Sequence, residues 1–238
     1  MHREILRGRI SGEDGFHWRG REVTRLEGFS DAVFAFAVTL LVVSLEVPKT
    51  YAELIEAMSG LKVFGVCFAL LAIVWYEHFR FFRRYGLESP WAVVLNCLLL
   101  FCVLFYVYPL KFLFNAAINR TPFTGHEVRT IFTVFNLGFI TVFAVLSLLY
   151  AYAWRLRDRL ALNPRERVRT LRSLYGHLFT VLMGLVATAW ALLLPDRLVG
   201  FTGMLYSVFF ALYYPLSSRI WRRREQAASL AVAPPAGS

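Results

Sequence analysis

The stretch Arg25-Leu-Glu-Gly-Phe-Ser-Asp31-Ala-Val-Phe-Ala-Phe-Ala-Val-Thr39-Leu-Leu-Val-Val-Ser-Leu-Glu46-Val-Pro48 decides the fold. Its apolar part reaches the ~20 residues that a helix needs to cross the hydrocarbon core of a bilayer. Yet it carries Ser30, Asp31 and Thr39 inside that length. A carboxylate at mid-bilayer costs roughly 2.5–3.5 kcal/mol on insertion scales and has to find a partner or water.

Working outward from this first run at about 28–47, comparable apolar runs recur at 63–82, 91–114, 130–153, 175–194 and 199–218. With 58% hydrophobic and only 18% charged residues in 238, more apolar side chain is present than a soluble core of this size can absorb, so lipid is the solvent for much of it. The pattern predicts an all-α integral membrane protein with six transmembrane helices in a single domain, residues 25–225. Residues 1–24, with glycines among scattered charges, read as a polar cytoplasmic arm without the apolar middle of a secretory signal. Residues 226–238, which include Ala-Pro-Pro-Ala-Gly, read as a disordered tail.

Charge sets the expected orientation. Twenty of the 26 Lys and Arg fall in the arm together with Arg25, in the segment Arg80–Arg84, in the segment Arg155–Arg172 and in the segment Arg219–Arg224. These are alternate ends of the six runs, and the positive-inside rule puts them, with both termini, in the cytoplasm. The net charge of +10 is thereby explained by topology and by attraction to anionic lipid, with no need for nucleic acid as a partner.

Within the Arg-rich connection, Asn163-Pro164 with Glu166 three residues after Asn163 predicts a short amphipathic linker helix ahead of the fifth run. No repeat of 20 to 50 residues is present, so any symmetry would come from assembling several chains. Cys67, Cys97 and Cys102 lie inside apolar runs at spacings that suggest neither zinc nor a disulfide framework. No hydrolase or phosphate-loop motif occurs, which argues against an enzyme.

The ionisable residues that penetrate the spans are Asp31, Glu46, Glu77 and His78, with Arg25 at the margin. Asp31, His78 and Asn96 fall near the same end of the first three runs. They are expected to form, with Ser30, one hydrogen-bonded cluster packed by Phe29 and Trp75. Further along the first run, Phe36, Leu40 and Val43 follow at steps of four and three beside Thr39, and so share a helical face. Around an axis of like helices, that face would form an apolar constriction with one hydroxyl girdle.

Arg25-x-x-x-Phe29-Ser30-Asp31, followed by Ala-Val-Phe-Ala and Thr39-Leu-Leu, closely resembles the signature of the transmembrane protein 175 family, the endosomal and lysosomal potassium channels and their prokaryotic relatives. Trp75-Tyr-Glu-His78 is similar to the family's second-helix pattern, and Asn96-Cys-Leu-Leu-Leu with Tyr108-Pro109 to its third. The resemblance covers residues 25 to about 115; the last two runs match by hydropathy only. It implies a homotetramer of six-helix subunits in a prokaryotic inner membrane, with potassium ions permeating and no cofactor. It also implies a pore lined by the first helix and constricted at Phe36, Thr39, Leu40 and Val43, with Arg25, Phe29, Ser30 and Asp31 holding that helix against Trp75, His78 and Asn96. Phe36 departs from the family's usual Leu or Ile. The alternatives read from the residues are a proton-coupled transporter using Asp31 or Glu46, and a haem protein ligated by His78 and His177.

Overall fold

A computed structural model describes residues 16–20, 22–43 and 49–230. Among these described residues, every element of regular structure spanning more than one residue is helical. In chain order they are α1 (Arg25–Val43), α2 (Tyr51–Ser59), α3 (Leu61–Tyr85), α4 (Pro90–Ile118), α5 (Gly125–Arg155), α6 (Pro164–Leu193), α7 (Asp196–Val199) and α8 (Thr202–Leu230). Six are long, and four of the described helices, α3 to α6, are long and apolar enough to cross a membrane.

The helix ends are written in the sequence. Ser89 caps α4 ahead of Pro90, and Thr124 with Glu127 closes a capping box at α5. Asn163 with Glu166 closes another at α6. In each box the side-chain oxygen accepts an orphan backbone N–H while the Glu reaches back to the cap. At the other end of α3, Gly86 adopts φ +57, the left-handed turn that only glycine takes without strain.

Three expectations change. The Arg-rich segment from Pro164 is no separate linker helix: it runs unbroken into the fifth apolar run as the 30-residue α6, because no residue after the cap interrupts the helical hydrogen-bond ladder. The helix through the sixth run continues to Leu230, five residues into the segment read as tail. Its Arg-Arg-Arg-Glu-Gln-Ala-Ala run consists of strong helix formers, and Glu225 is anchored by Arg169 and Arg172 at 3.3 Å. The arm, finally, is not all polar surface, since Phe16 is fully buried.

α1 runs parallel to α4, since Ser30 meets Asn96 near the start of both and Leu41 meets Lys111 toward their ends. α5 lies against both α4 and α6, α6 carries α8, and α1 sits on α3 and α4. The core runs through α1, α3, α4 and α5, with Phe34, Leu41, Phe81, Leu99, Leu146 and Tyr150 buried in it. α1 therefore lies at one side of the subunit, supported along one face only.

Candidate functional site

α1 begins with a reciprocal cap: Glu27 N–H donates to Thr24 Oγ1 at 3.1 Å and Thr24 N–H to Glu27 Oε2 at 3.0 Å. The Thr24-x-x-Glu27 spacing is a readable helix-start signal that the sequence reading passed over. Arg83 of α3 stands 3.9 Å from the same carboxylate. From there Glu27, Ser30, Phe34, Ala37 and Leu41 are buried at steps of three and four, which is one face of a helix.

On that face a buried polar chain joins three helices. The Ser30 hydroxyl donates to Leu26 O at 2.8 Å, so its oxygen is left to accept from Asn96 Nδ2 at 2.9 Å. This orientation turns Asn96 Oδ1 toward His78, and the imidazole donates to it from Nε2 at 2.7 Å. Phe34 and Phe82 pack on the imidazole with ring centroids at 5.6 and 4.7 Å. Among the described residues no hydrogen-bond partner reaches His78 Nδ1.

The structure thus brings Ser30, His78 and Asn96 together but leaves Asp31 and Phe29 out. Asp31 accepts from Trp75 Nε1 at 2.8 Å in an exposed pair, while Phe29 is 56% exposed and packs nothing on the cluster. Consecutive residues of a helix point about 100° apart, so Ser30 and Asp31 cannot share a partner. Arg25 opens the helix and is exposed.

The opposite face of α1 is open. Gly28, Ala32, Phe36, Thr39 and Val42 follow at steps of four and three and all are exposed, Phe36 by 55%. Thr39 spends its hydroxyl hydrogen on Ala35 O at 3.0 Å, leaving the oxygen outward. Leu40 does not share this face: it is half-buried and packs against the core. The Val43 side chain and Glu46 lie outside the described residues. Near the helix end, Lys111 of α4 donates to Leu41 O at 2.7 Å, placing a cation on the carbonyl end of the dipole.

Two further assemblies were not read from the sequence. Glu166 accepts from His17 N–H at 2.9 Å and from Arg19 Nη2 at 2.8 Å, and Arg19 Nε donates to Leu160 O at 2.8 Å. Arg19 and Gly20 N–H both donate to Arg83 O at 3.1 Å. The chain just before α1 is thereby strapped across the ends of α3 and α6. Secondly, Glu77 pairs with Arg80 and stands 3.5 Å from His177 Nε2. His78 and His177 consequently serve different neighbours, Asn96 for one and Glu77 for the other.

Comparison with known proteins agrees with this architecture. Residues 25–106 match the family described as endosomal/lysosomal potassium channel TMEM175. The chain is 33% identical to a potassium channel of Marivirga tractuosa over 242 aligned positions, covering 93% of this chain and 98% of that one. Among solved structures it superposes on a variant of the potassium channel MtTMEM175 in complex with a nanobody–MBP fusion, with TM-score 0.77 and 32% identity over 88% of this chain and all of that one. It also matches a lysosomal potassium-selective channel TMEM175 homologue from Chamaesiphon minutus with TM-score 0.55, 26% identity and coverage of 79% of this chain and 95% of that one. A full-length match at this identity, on the same helical fold, means that the chain belongs to the TMEM175 family, a family of ion channels rather than enzymes.

Proposed function

We propose that this chain is a potassium-selective channel whose pore is lined by α1 from four identical subunits. The observation that carries the reading is the two-sided character of α1. One face is buried and pinned by Ser30, Asn96 and Lys111. The other exposes Gly28, Ala32, Phe36, Thr39 and Val42. Gly28 and Ala32 at the start of that line let like helices approach closely about an axis, and the Thr39 hydroxyl beyond Phe36 has no counterpart to meet in lipid.

In the assembled channel six helices per subunit span the inner membrane of a prokaryotic cell, with both termini in the cytoplasm. The Phe36 rings form an apolar constriction that blocks ions by excluding water. Thr39 supplies the polar girdle below it, with Val43 as a further apolar ring, and Leu40 backs the constriction from the side. Ions pass when the α1 helices tilt and the Phe36 ring is wetted. The chain of Ser30, Asn96 and His78 and the Asp31–Trp75 pair act as anchors for that helix and not as ion sites.

The test is potassium and sodium flux through the purified chain in liposomes. Potassium should pass down its electrochemical gradient faster than sodium and without a proton gradient. Phe36→Ala should raise the flux severalfold. An unchanged flux in Phe36→Ala removes Phe36 from the constriction, and flux that requires a proton gradient removes the channel reading.

A further inference from the structure

Two cavities meet inside the bundle, away from α1. One, of about 660 Å³, lies among α3, α4, α5 and α8 and is walled by apolar side chains such as Leu70, Val107, Phe135 and Phe139. The other, of about 510 Å³, is lined by Arg80 and Arg84 of α3 and by Arg169 and Arg172 of α6, with Glu77 and Glu225. Ile73, Phe143 and Phe210 line both, so the two spaces adjoin across these three side chains.

The polar chamber carries an excess of positive charge. Four guanidinium groups face two carboxylates, and both carboxylates are engaged, Glu77 by Arg80 and Glu225 by Arg169 and Arg172. The side chains of Arg80 and Arg172 remain 32% and 40% exposed, within reach of an incoming anion. Behind them the surface changes to hydrocarbon. At 1.5 Å per residue, Arg80 to Ile73 along α3 is about 10 Å and Phe143 to Phe132 along α5 about 16 Å. The path exceeds the ~15 Å that one leaflet's chains cover in a bilayer core. A small free anion would leave the apolar chamber unused, and a purely apolar ligand would leave the guanidinium excess unmet.

We propose that this composite cavity binds one anionic phospholipid, its phosphate on Arg80 and Arg172 and one acyl chain threaded past Phe143 and Phe210 into the apolar chamber. The lipid wedges α8 against α3 and α5. Arginine suits the task because its fork bonds phosphate oxygens in pairs.

Native mass spectrometry of the purified full-length chain in detergent tests this, with dioleoylphosphatidylglycerol and dioleoylphosphatidylcholine as probes and the tail-less glycerophosphoglycerol as competitor. Phosphatidylglycerol should bind about tenfold tighter than phosphatidylcholine, since the two differ by a full headgroup charge. Arg80→Gln and Arg172→Gln should each weaken it about fivefold, and Arg172→Lys, which keeps the charge without the fork, should recover part of the loss, which separates lost charge from lost fold. Ser207→Phe, at an exposed position lining the apolar chamber, should lower occupancy with every arginine intact. Equal binding of the two lipids, or arginine variants that bind as before, overturns the proposal. Competition by glycerophosphoglycerol at parity, or binding indifferent to Ser207→Phe, also overturns it, because the site is then a free-anion site. No arm reads ion flux, so the outcome is independent of the channel reading.

Discussion

Asn96 is the node on which the placement of α1 turns. Replacing it with Leu keeps the bulk and removes both interhelical bonds, to Ser30 at 2.9 Å and to His78 at 2.7 Å. Interhelical hydrogen bonds in membrane proteins average about 0.6 kcal/mol each, so the two bonds together account for about 1.2 kcal/mol. The two ends then fare differently. Ser30 still donates to Leu26 O, but His78, almost fully buried and already without a partner at Nδ1, strands its Nε2–H. An unmet buried donor adds about 1–3 kcal/mol, so Asn96→Leu should cost about 2–4 kcal/mol. Because most of this is a stranding cost, removing the stranded group should relieve it: Asn96→Leu with His78→Phe should be more stable than Asn96→Leu alone. Unfolding free energies in mixed dodecylsulfate micelles, at fixed protein concentration, give all four corners of the cycle. A double variant no more stable than Asn96→Leu would refute the assignment of the cost to the His78 donor.

Three other perturbations probe the supports of α1. Glu166→Gln halves a buried charge pair in which the carboxylate side chain is only 2% exposed; breaking one side of such a pair costs about 3 kcal/mol, and trypsin should cut after Arg19 severalfold faster than in the parent. Gly20→Ala sets a Cβ 2.7 Å from Phe82 O; the backbone has to yield, and the melting temperature should fall, by an overpacking cost of about 1–3 kcal/mol, whereas Gly28→Ala, with open space around it in the subunit, should not unfold the isolated chain. Lys111→Met removes the cation that donates to Leu41 O at 2.7 Å and should cost about 1 kcal/mol, seen as faster amide exchange in the last turn of α1 and not in its first.

How far the sequence carried depended on the range of the interaction. The apolar runs are local, and they located α3, α4 and α5 within about five residues, but they missed the first turns of α6 and the last turns of α8, where the helix is polar. Ser30, His78 and Asn96 could be grouped because antiparallel neighbours put polar residues near helix ends at matching depth. Asp31 was grouped with them by depth alone, although its direction, 100° from Ser30, pointed elsewhere. The Arg19 and Glu166 pair, 147 residues apart, left no trace, since nothing in either neighbourhood names the other. Glu166 was read as an acid in the first turn of a helix, which it is, but neither its capping box with Asn163 nor its pairing with Arg19 was assigned. The continuous α6 was misjudged because hydropathy changes sharply near Leu174 while backbone propensity does not: the same helix leaves water and enters lipid.

These contacts constrain how α1 can move in the proposed channel. Its bonds to α4 run through Asn96 and Lys111, and its contacts with α3 through Asp31 and Trp75 and through Glu27 and Arg83. Rotating α1 alone by a single residue position, about 100°, would break all four at once and strand Asn96 and His78 in a buried layer. Tilting α1, α3 and α4 as one body breaks none of them. The strap at Arg19 complicates that tilt, because it joins the end of α3 to the first turn of α6 through Arg83 O and Glu166. Displacement of the three-helix unit is then resisted at its Arg-rich end and freer toward Val42, so the exposed ring at Phe36 widens most when the unit pivots about the strap.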